Sequence, residues 1–205
     1  MLQTRTVEPH TLGLLKRLMS KPYLDQFFLV GGTALALQMG HRVSVDLDLF
    51  TIADFNQEDL LASLRHDFEV IVEVTSPSIF IVRIEEVKVD FVRFRYKILY
   101  PMMTIESVRM LELRDVAPMK MDAVTKRGSK KDFYDIYFLL QQMALEEILK
   151  LYQQKFDHQT LFHVIKSLTY FEDAEEQPDP IVFDSKITWE KVKAETAKAV
   201  QQLYK

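Results

Sequence analysis

Two aspartates, Asp46 and Asp48, are separated by one residue in a segment where apolar and polar side chains alternate. Alternation with a period of two is typical of a β-strand, so both carboxylates are predicted to lie on one face of that strand. Like charges repel each other there, and a hard cation with oxygen ligands would neutralise them. The pair therefore predicts a Mg²⁺ site, the alternative being an edge strand with a solvated acidic face.

A third acid, Asp90, lies between Val89 and Phe91 in another strand-like segment. A carboxylate in such surroundings costs free energy unless it has a partner, and an ion pair with Lys88 or Arg93 is the alternative to a metal. Three acids carried by strands can hold two divalent ions. Such a pair of ions stabilises the attacking and leaving oxygens of phosphoryl transfer.

A glycine turn precedes these acids. The apolar segment 27–30 ends at Gly31 and Gly32, and Thr33 then opens a predicted helix. Glycines allow a ligand to approach the backbone closely, and the amides at a helix N-terminus attract anions. The hydroxyl of Thr33 adds a further polar group. The turn therefore predicts a phosphate site, although a plain connection between strand and helix explains a Gly-Gly pair alone.

The combined segments resemble a known superfamily. VGGTALALQMGHRVSVDLDLF is similar to the signature of the polymerase-beta-type nucleotidyltransferases. GHRVSVDLDLF, KVDF and MKMDAVTKRGSKKDFYDIYFLL together resemble more narrowly the AbiEii-type toxins of bacterial abortive-infection and toxin-antitoxin systems. The resemblance covers about residues 27–140.

The resemblance implies roles for individual residues. It implies an NTP substrate and two Mg²⁺ ions. By the same resemblance, Gly31, Gly32 and Thr33 would bind the triphosphate, and Asp46, Asp48 and Asp90 would bind the metal ions. Lys120 and Asp132 match the lysine and aspartate of the family's C-terminal motifs. Asp90 is also placed to accept the proton of the acceptor hydroxyl.

Basic residues near these motifs could neutralise phosphate charge. Lys120 and Arg127 fall near one stripe of a predicted helix, so both could meet phosphates, although an isolated lysine is more often solvated. Arg42 could bind the triphosphate or pair with Asp46. Asp135 follows Asp132 by three residues near a helix start, where acids favour the helix dipole, and is interpreted as structural.

The chain around these residues predicts an α+β fold. A small mixed sheet flanked by helices is expected over residues 1–104 as the catalytic domain, and an all-helical lobe completing the active-site cleft over 105–205. Asn56 is a predicted N-cap, Gly128 a helix stop and Ser129 the next cap. Helices are predicted over 105–112, 116–127, 130–142, 145–156, 160–170 and 187–204, with an acidic loop over 171–180.

Composition excludes several classes of protein. The 205 residues carry a net charge of −4, which argues against coating DNA by bulk electrostatics. The absence of cysteine excludes disulfides and cysteine-bound zinc, and the five histidines show no metal-binding spacing. The N-terminal segment does not resemble a signal peptide, and no membrane partner is expected, so the cytoplasm is the expected location.

The expected reaction is Mg²⁺-dependent transfer of a nucleotide from an NTP to an acceptor hydroxyl. The family resemblance implies an RNA acceptor, such as the 3′ end of tRNA, and a toxin controlled by a cognate antitoxin. Transfer to a small molecule or a protein is an alternative, because one fold supports several transfers. A binding module without catalysis and a metal-dependent nuclease are two further alternatives.

Overall fold

The structure is a computed structural model that describes residues 1–157 and 160–204. His158, one of the five histidines noted above, lies outside them. The chain forms two units. The first contains Met1–Gly40, Ser44–Tyr96 and Met102–Leu111, and the second contains His41–Val43, Lys97–Pro101 and the chain from Glu112 on. The domain boundary predicted near residue 104 stays a prediction.

A mixed sheet forms the centre of the first unit. Its strands are β1 (Phe28–Val30), β2 (Leu47–Thr51), β3 (Val70–Ser76), β4 (Ile79–Ile84), β5 (Val87–Arg93), β6 (Met103–Ile105) and β7 (Val108–Met110). The spatial order is β3-β4-β5-β2-β1-β7-β6. The pairs β2–β5 and β1–β7 are parallel, and the other neighbouring pairs are antiparallel.

The two central strands β2 and β5 separate a buried face from a polar one. On β2, Leu47, Leu49 and Thr51 are buried, while Asp48 and Phe50 between them are partly exposed. Strand β5 alternates in the same way. This alternation is the period of two expected of strands with unlike faces. The acids on these strands therefore lie on the face opposite the hydrophobic core.

Three α-helices belong to the first unit: α1 (Pro9–Met19), α2 (Gly31–Met39) and α3 (Gln57–Asp67). The predicted cap of α3 is confirmed, because the Asn56 side chain accepts hydrogen bonds from the amides of Glu58 and Asp59. Leu60 and Leu64 of α3 are buried in the core.

The second unit is helical. Its helices are α4 (Leu113–Arg127), α5 (Lys130–Leu140), α6 (Leu145–Lys155), α7 (Leu161–Ser167), α8 (Glu172–Glu175) and α9 (Trp189–Gln202). Gly128 ends α4 with φ of +52°, a conformation that favours glycine, and Ser129 is the N-cap residue of α5. Both predicted positions are confirmed, but the Ser129 side chain makes no capping hydrogen bond. The rings of Phe133, Phe171 and Trp189 pack edge-on or tilted against one another.

The structure corrects three expectations. The helix predicted over 105–112 is wrong, since β6 and β7 form a hairpin there with Glu106 and Ser107 at positive φ in its turn. The acidic segment 171–180 is not simply a loop, because α8 lies in it and Glu175 accepts a hydrogen bond from Trp189. The strand predicted to carry both Asp46 and Asp48 begins only at Leu47, so Asp46 precedes it.

The predicted fold class is confirmed: an α+β chain with a mixed sheet flanked by helices, followed by helical segments. Across residues 1–157 and 160–204, no helix combines the length and the apolar character needed to cross a bilayer.

Candidate active site

Asp48 and Asp90 lie directly opposite each other on the parallel strands β2 and β5. On the other side of Asp48, the residue in register on β1 is Val30, the last residue before the glycine turn. Neighbouring strands are about 4.8 Å apart, so the two carboxylates emerge side by side from the polar face. The sheet register therefore brings two of the three predicted acids together beside the turn.

Gly31 touches the carboxylate of Asp48. A Cβ atom on residue 31 would lie 2.0 Å from Oδ2 of Asp48 and 2.9 Å from its Cγ. Gly31 also has φ of +69°, where a side chain adds strain. Two features thus require glycine here: the positive φ of the backbone and the close approach of the Asp48 carboxylate. That carboxylate lies against the N-terminus of α2, whose amides favour negative charge.

Asp46 lies outside β2, in the segment that precedes it. The buried Thr33 hydroxyl hydrogen-bonds the Asp46 carbonyl oxygen, and its oxygen lies 2.9 Å from the hydroxyl of Ser44. Thr33 therefore fixes the segment that carries Asp46 against the first turn of α2. The sequence predicted Thr33 as a phosphate ligand, and its contacts show a second, positioning role.

Lys88 is part of the acid cluster. The Lys88 Nζ donates a hydrogen bond of 2.9 Å to Oδ2 of Asp90. The same nitrogen lies 2.7 Å from Oδ1 of Asp90, an ion-pair contact that lacks hydrogen-bond geometry. Burial alone would lower the pKa of Lys88. The hydrogen bond with Asp90 and the charges of Asp90, Asp46 and Asp48 outweigh it and raise that pKa. The negative charges of all three predicted metal ligands therefore act on the Lys88 ammonium.

The donor chemistry of the cluster fits a divalent ion. Carboxylate oxygens are the ligands that hard cations take, and Oδ1 of Asp90 is buried without a hydrogen bond. Within the described part of the chain, however, no three or more acidic or histidine side chains are already arranged as a metal-binding group. Lys88, held by Asp90, is the cation that the structure places in this cluster.

A cavity of about 230 Å³ opens beside Asp46, the one acid of the cluster among its lining residues. Asp46 and Lys88 line it together with Arg83 and His10. The cavity lies entirely within the first unit and offers both charge signs to a ligand. It gives a small polar molecule access to Asp46 and Lys88.

A second cluster of charges lies in the second unit around the fully buried Asp135. Its Oδ1 accepts hydrogen bonds from His41 Nε2 at 2.8 Å and Arg42 Nε at 2.6 Å. Its Oδ2 accepts one from Arg42 at 2.8 Å and lies 2.8 Å from Lys120 Nζ. Arg42 thus binds Asp135, which was not among its predicted partners, and the structural interpretation of Asp135 agrees with this burial.

Asp132, one turn earlier on α5, is also buried. It accepts hydrogen bonds from Lys120 at 3.0 Å and from Arg127 at 2.7 and 2.9 Å. The Lys120 side chain is 5% exposed and the Arg127 side chain 56% exposed. Of the two bases predicted to meet phosphates, Arg127 is therefore the one with solvent access.

The charges of this second cluster stabilise one another. Burial opposes ionisation of Asp135, but Arg42, Lys120 and His41 outweigh it and hold its pKa well below the ordinary value. The pKa of Asp132 is lowered in the same way, by Lys120 and Arg127 against burial. Burial would lower the pKa of Lys120, and the two aspartates raise it.

His41 is the exception in this cluster. Burial lowers its pKa despite the hydrogen bond to Asp135, and its Nδ1 is buried without a hydrogen-bond partner. The ring is therefore neutral at pH 7, with the proton on Nε2 directed at Asp135.

The predicted site residues thus fall into two groups. The first unit contains the glycine turn and the three acids, and the second contains Arg42, Lys120, Arg127 and Asp132. Lys88 was named from sequence only as a possible partner of Asp90. Its spacing of two residues within a strand was the signal, since it puts both side chains on one face. No local pattern marked the pairing of Arg42 with Asp135.

Solved structures share this fold. JHP933 from Helicobacter pylori is 17% identical, with 97% of this chain and 93% of that chain covered and a TM-score of 0.58. MenT4, a nucleotidyltransferase toxin of Mycobacterium tuberculosis H37Rv, is 17% identical, with 94% and 87% covered and a TM-score of 0.53. The fold is therefore that of a nucleotidyltransferase.

Sequence comparison gives the family. The profile described as "Nucleotidyl transferase AbiEii toxin, Type IV TA system" matches residues 13–106 and 99–203. The chain belongs to the AbiEii nucleotidyltransferase toxin family. A relative in Aquifex aeolicus (strain VF5), the uncharacterized protein aq_aa25, is 33% identical over 190 residues, which cover 87% of this chain and 88% of that protein.

Proposed function

We propose that this chain transfers a nucleotidyl group from an NTP to a hydroxyl of RNA in a reaction that requires Mg²⁺. The observation that carries the proposal is the pairing of Asp48 with Asp90 beside Gly31. That arrangement puts the Asp48 carboxylate against a helix N-terminus with the Asp90 carboxylate beside it, so a cation site and an anion site would adjoin each other.

The glycine turn would bind the triphosphate. The first amides of α2 have no partner within the helix and carry its positive dipole end. Asp46 and Asp48, with Asp90, would hold Mg²⁺, which supplies charge neutralisation at the phosphates when bound. Thr33 would keep Asp46 in position through its carbonyl oxygen.

The reaction balances as an in-line displacement. The acceptor oxygen forms a bond to the α-phosphorus, the bond from that phosphorus to the bridging oxygen of the β-phosphate breaks, and pyrophosphate leaves. Asp90 would accept the proton released by the attacking hydroxyl. Arg127 and Lys120 are proposed to act on phosphate charge, Arg42 to assist at the triphosphate, and Asp132 to orient the two bases that it binds.

The test is acceptor labelling. Purified protein is incubated with Mg²⁺, each of the four labelled NTPs and total cellular RNA, from which tRNA is then separated. We expect label on RNA, with the tRNA 3′ end as the specific expectation, and release of pyrophosphate. Asp48→Asn should abolish labelling. Asp54→Asn is the matched control, because Asp54 is 78% exposed and pairs with Arg93 away from the turn.

Other outcomes would reject parts of the proposal. Label only on a small molecule or a protein would reject the RNA acceptor and keep the chemistry. Cleaved RNA without pyrophosphate release would indicate a nuclease. NTP binding that depends on Mg²⁺, without transfer to any acceptor pool, would indicate a binding module.

The family description also supports a biological role. We propose that the chain inhibits growth from the cytoplasm, where NTPs and RNA are abundant, and that an antitoxin restrains it, as the type IV toxin-antitoxin description of the family implies. Induced expression in bacteria should stop growth for the unaltered chain and for Asp54→Asn, and should not for Asp48→Asn. Equal growth arrest by all three chains would contradict a toxin that acts through this site.

A further inference from the structure

We propose that Lys88 is a resident cation of the acid cluster, so that the protein itself holds a single divalent ion, on Asp46 and Asp48, instead of two. The inference deepens the proposed function and depends on its metal site. It revises the expectation of two ions on three carboxylates, and it assigns Asp90 to Lys88 instead of to Mg²⁺.

The contacts of Asp90 carry the argument. Both oxygens of this carboxylate lie within 2.9 Å of one ammonium group, and the side chain of Asp90 is only 17% exposed. A second divalent ion would need those oxygens as ligands. It would then lie a few ångströms from the ammonium, where two cations repel each other strongly. Lys88 and a second metal ion therefore exclude each other at Asp90.

The position of Lys88 is set by the sheet and not by a mobile loop. Lys88 and Asp90 are two residues apart on β5, so their side chains lie on the same face, and strands on both sides hold β5. The charges of Asp46 and Asp48 also act on the ammonium. The fold therefore fixes the backbone of Lys88 at a place from which its ammonium reaches Asp90.

Charge balance points in the same direction. Three carboxylates carry three negative charges, which one divalent ion and one ammonium neutralise together. Two divalent ions with the ammonium would leave an excess of two positive charges before an NTP binds. The arrangement of donors agrees, since the described residues contain no ready group of three acids around a common ion.

Binding of Mn²⁺ alone tests the proposal without any measurement of transfer. Free Mn²⁺ is counted by electron paramagnetic resonance during titration of the full chain. We expect a single ion per chain for the unaltered protein, and for Lys88→Arg, which keeps the cation. Lys88→Met should bind a second ion or bind Mn²⁺ roughly tenfold more tightly, because a neighbouring positive charge is removed.

Two variants of the acids sharpen the test. Asp90→Asn should retain the single ion, since Asp90 is the lysine's partner in this proposal, whereas Asp48→Asn should lose it. The double variant Lys88→Met/Asp90→Asn should return to one ion. Circular dichroism confirms that each variant is folded.

Arg83→Met is the matched control for loss of positive charge. Arg83 faces Lys88 across β4 and β5, lines the same cavity and pairs with Glu73. The Arg83→Met variant should bind Mn²⁺ with the same number of ions and the same affinity as the unaltered chain. An equal gain in bound Mn²⁺ or in its affinity in Arg83→Met would show that the effect is not specific to Lys88.

Other results of the Mn²⁺ titrations would contradict the proposal. Two ions on the unaltered chain, loss of all binding in Asp90→Asn, or unchanged number and affinity in Lys88→Met would each overturn the role of Lys88 while the metal site stands. No Mn²⁺ bound by any of these chains would overturn the metal site of the proposed function, and the role of Lys88 with it.

Discussion

Gly31 lies against Asp48 so closely that a Cβ atom on residue 31 would be 2.0 Å from the carboxylate oxygen Oδ2. Residue 31 is the first residue of α2, and residue 48 lies within β2. The contact therefore joins the proposed phosphate site to the proposed metal site. A change at either residue should act on both.

We predict that Gly31→Ala abolishes most activity. The methyl group must displace Asp48, and a displacement of about 1 Å at a reacting centre can cost about 100-fold in rate. The positive φ adds roughly 1 kcal/mol of strain to the folded state. Labelling of the acceptor and urea unfolding measure the two effects.

Gly13→Ala is the matched control for that substitution. Gly13 lies inside α1, and a Cβ atom there would meet nothing within 4 Å. Alanine should raise the free energy of unfolding by about 0.5–1 kcal/mol through helix propensity, with unchanged activity. Activity of Gly31→Ala similar to that of Gly13→Ala would contradict the close contact.

Thr33 should tolerate serine and not valine. Thr33→Val removes the hydroxyl that bonds the Asp46 carbonyl oxygen and Ser44, and leaves buried polar groups unpaired, at a cost of about 1–3 kcal/mol. Thr33→Ser keeps that hydroxyl. We expect the rate of transfer to fall in Thr33→Val and to be largely retained in Thr33→Ser, as measured by NTP labelling. Equal rates in the two variants would show that the hydroxyl does not position Asp46.

Lys120 should matter for stability as well as for chemistry. Lys120→Met leaves Asp132 and Asp135 buried without one of their cations, and breaking a buried ion pair costs about 3–5 kcal/mol. Lys126 on the same helix is 60% exposed and pairs with Asp122 one turn away. Lys126→Met should cost less than about 0.5 kcal/mol. Chemical denaturation of both variants checks the difference, and similar losses would contradict the buried cluster.

Stability should fall on acidification in two stages. The pKa of His41 in the folded chain is below its ordinary value of 6.5, so below pH 6.5 the unfolded state takes up a proton that the folded state does not. The pKa of Asp135 in the folded chain is well below 3.8. Below pH 3.8 the unfolded state therefore binds a second proton that the folded state does not. Both shifts lower the free energy of unfolding as the pH falls.

His41→Gln tests the first stage. Glutamine keeps an N–H donor for Asp135 and does not titrate, so the decline that begins below pH 6.5 should become shallower while the decline below pH 3.8 persists. Urea unfolding at several pH values measures both. His66→Gln, at an exposed position of α3, should leave the profile unchanged. The same slope in the unaltered chain and in His41→Gln would rule out the assignment.

Local signals made part of this structure predictable. The cap at Asn56, the stop at Gly128 and the alternation around Asp48 and Asp90 depend on neighbouring residues, and sequence reading found them. The hairpin of β6 and β7 was missed because its strands have three residues each. Its turn residues, Glu106 and Ser107, also lack the Asn-Gly or Asp-Gly signal of such turns.

Long-range pairing was harder to predict. Arg42 and Asp135 are far apart in sequence, and both have plausible local explanations, so only the fold shows that they bind each other. Asp46 was assigned to a strand because the alternation of apolar residues extends beyond the hydrogen-bonded ladder. Val45 is in fact 55% exposed, which shows that the pattern had already ended there.

The pairing of β2 with β5 has a consequence for biosynthesis. The ribosome delivers Asp48 well before Asp90, and the β3–β4 hairpin is made between them. Chains interrupted within that interval carry Asp46 and Asp48 without Asp90, and Asp48 then has a neighbour in register only on β1. In the proposed mechanism such a copy lacks Asp90 as the proton acceptor, so transfer would begin only when β5 docks beside β2.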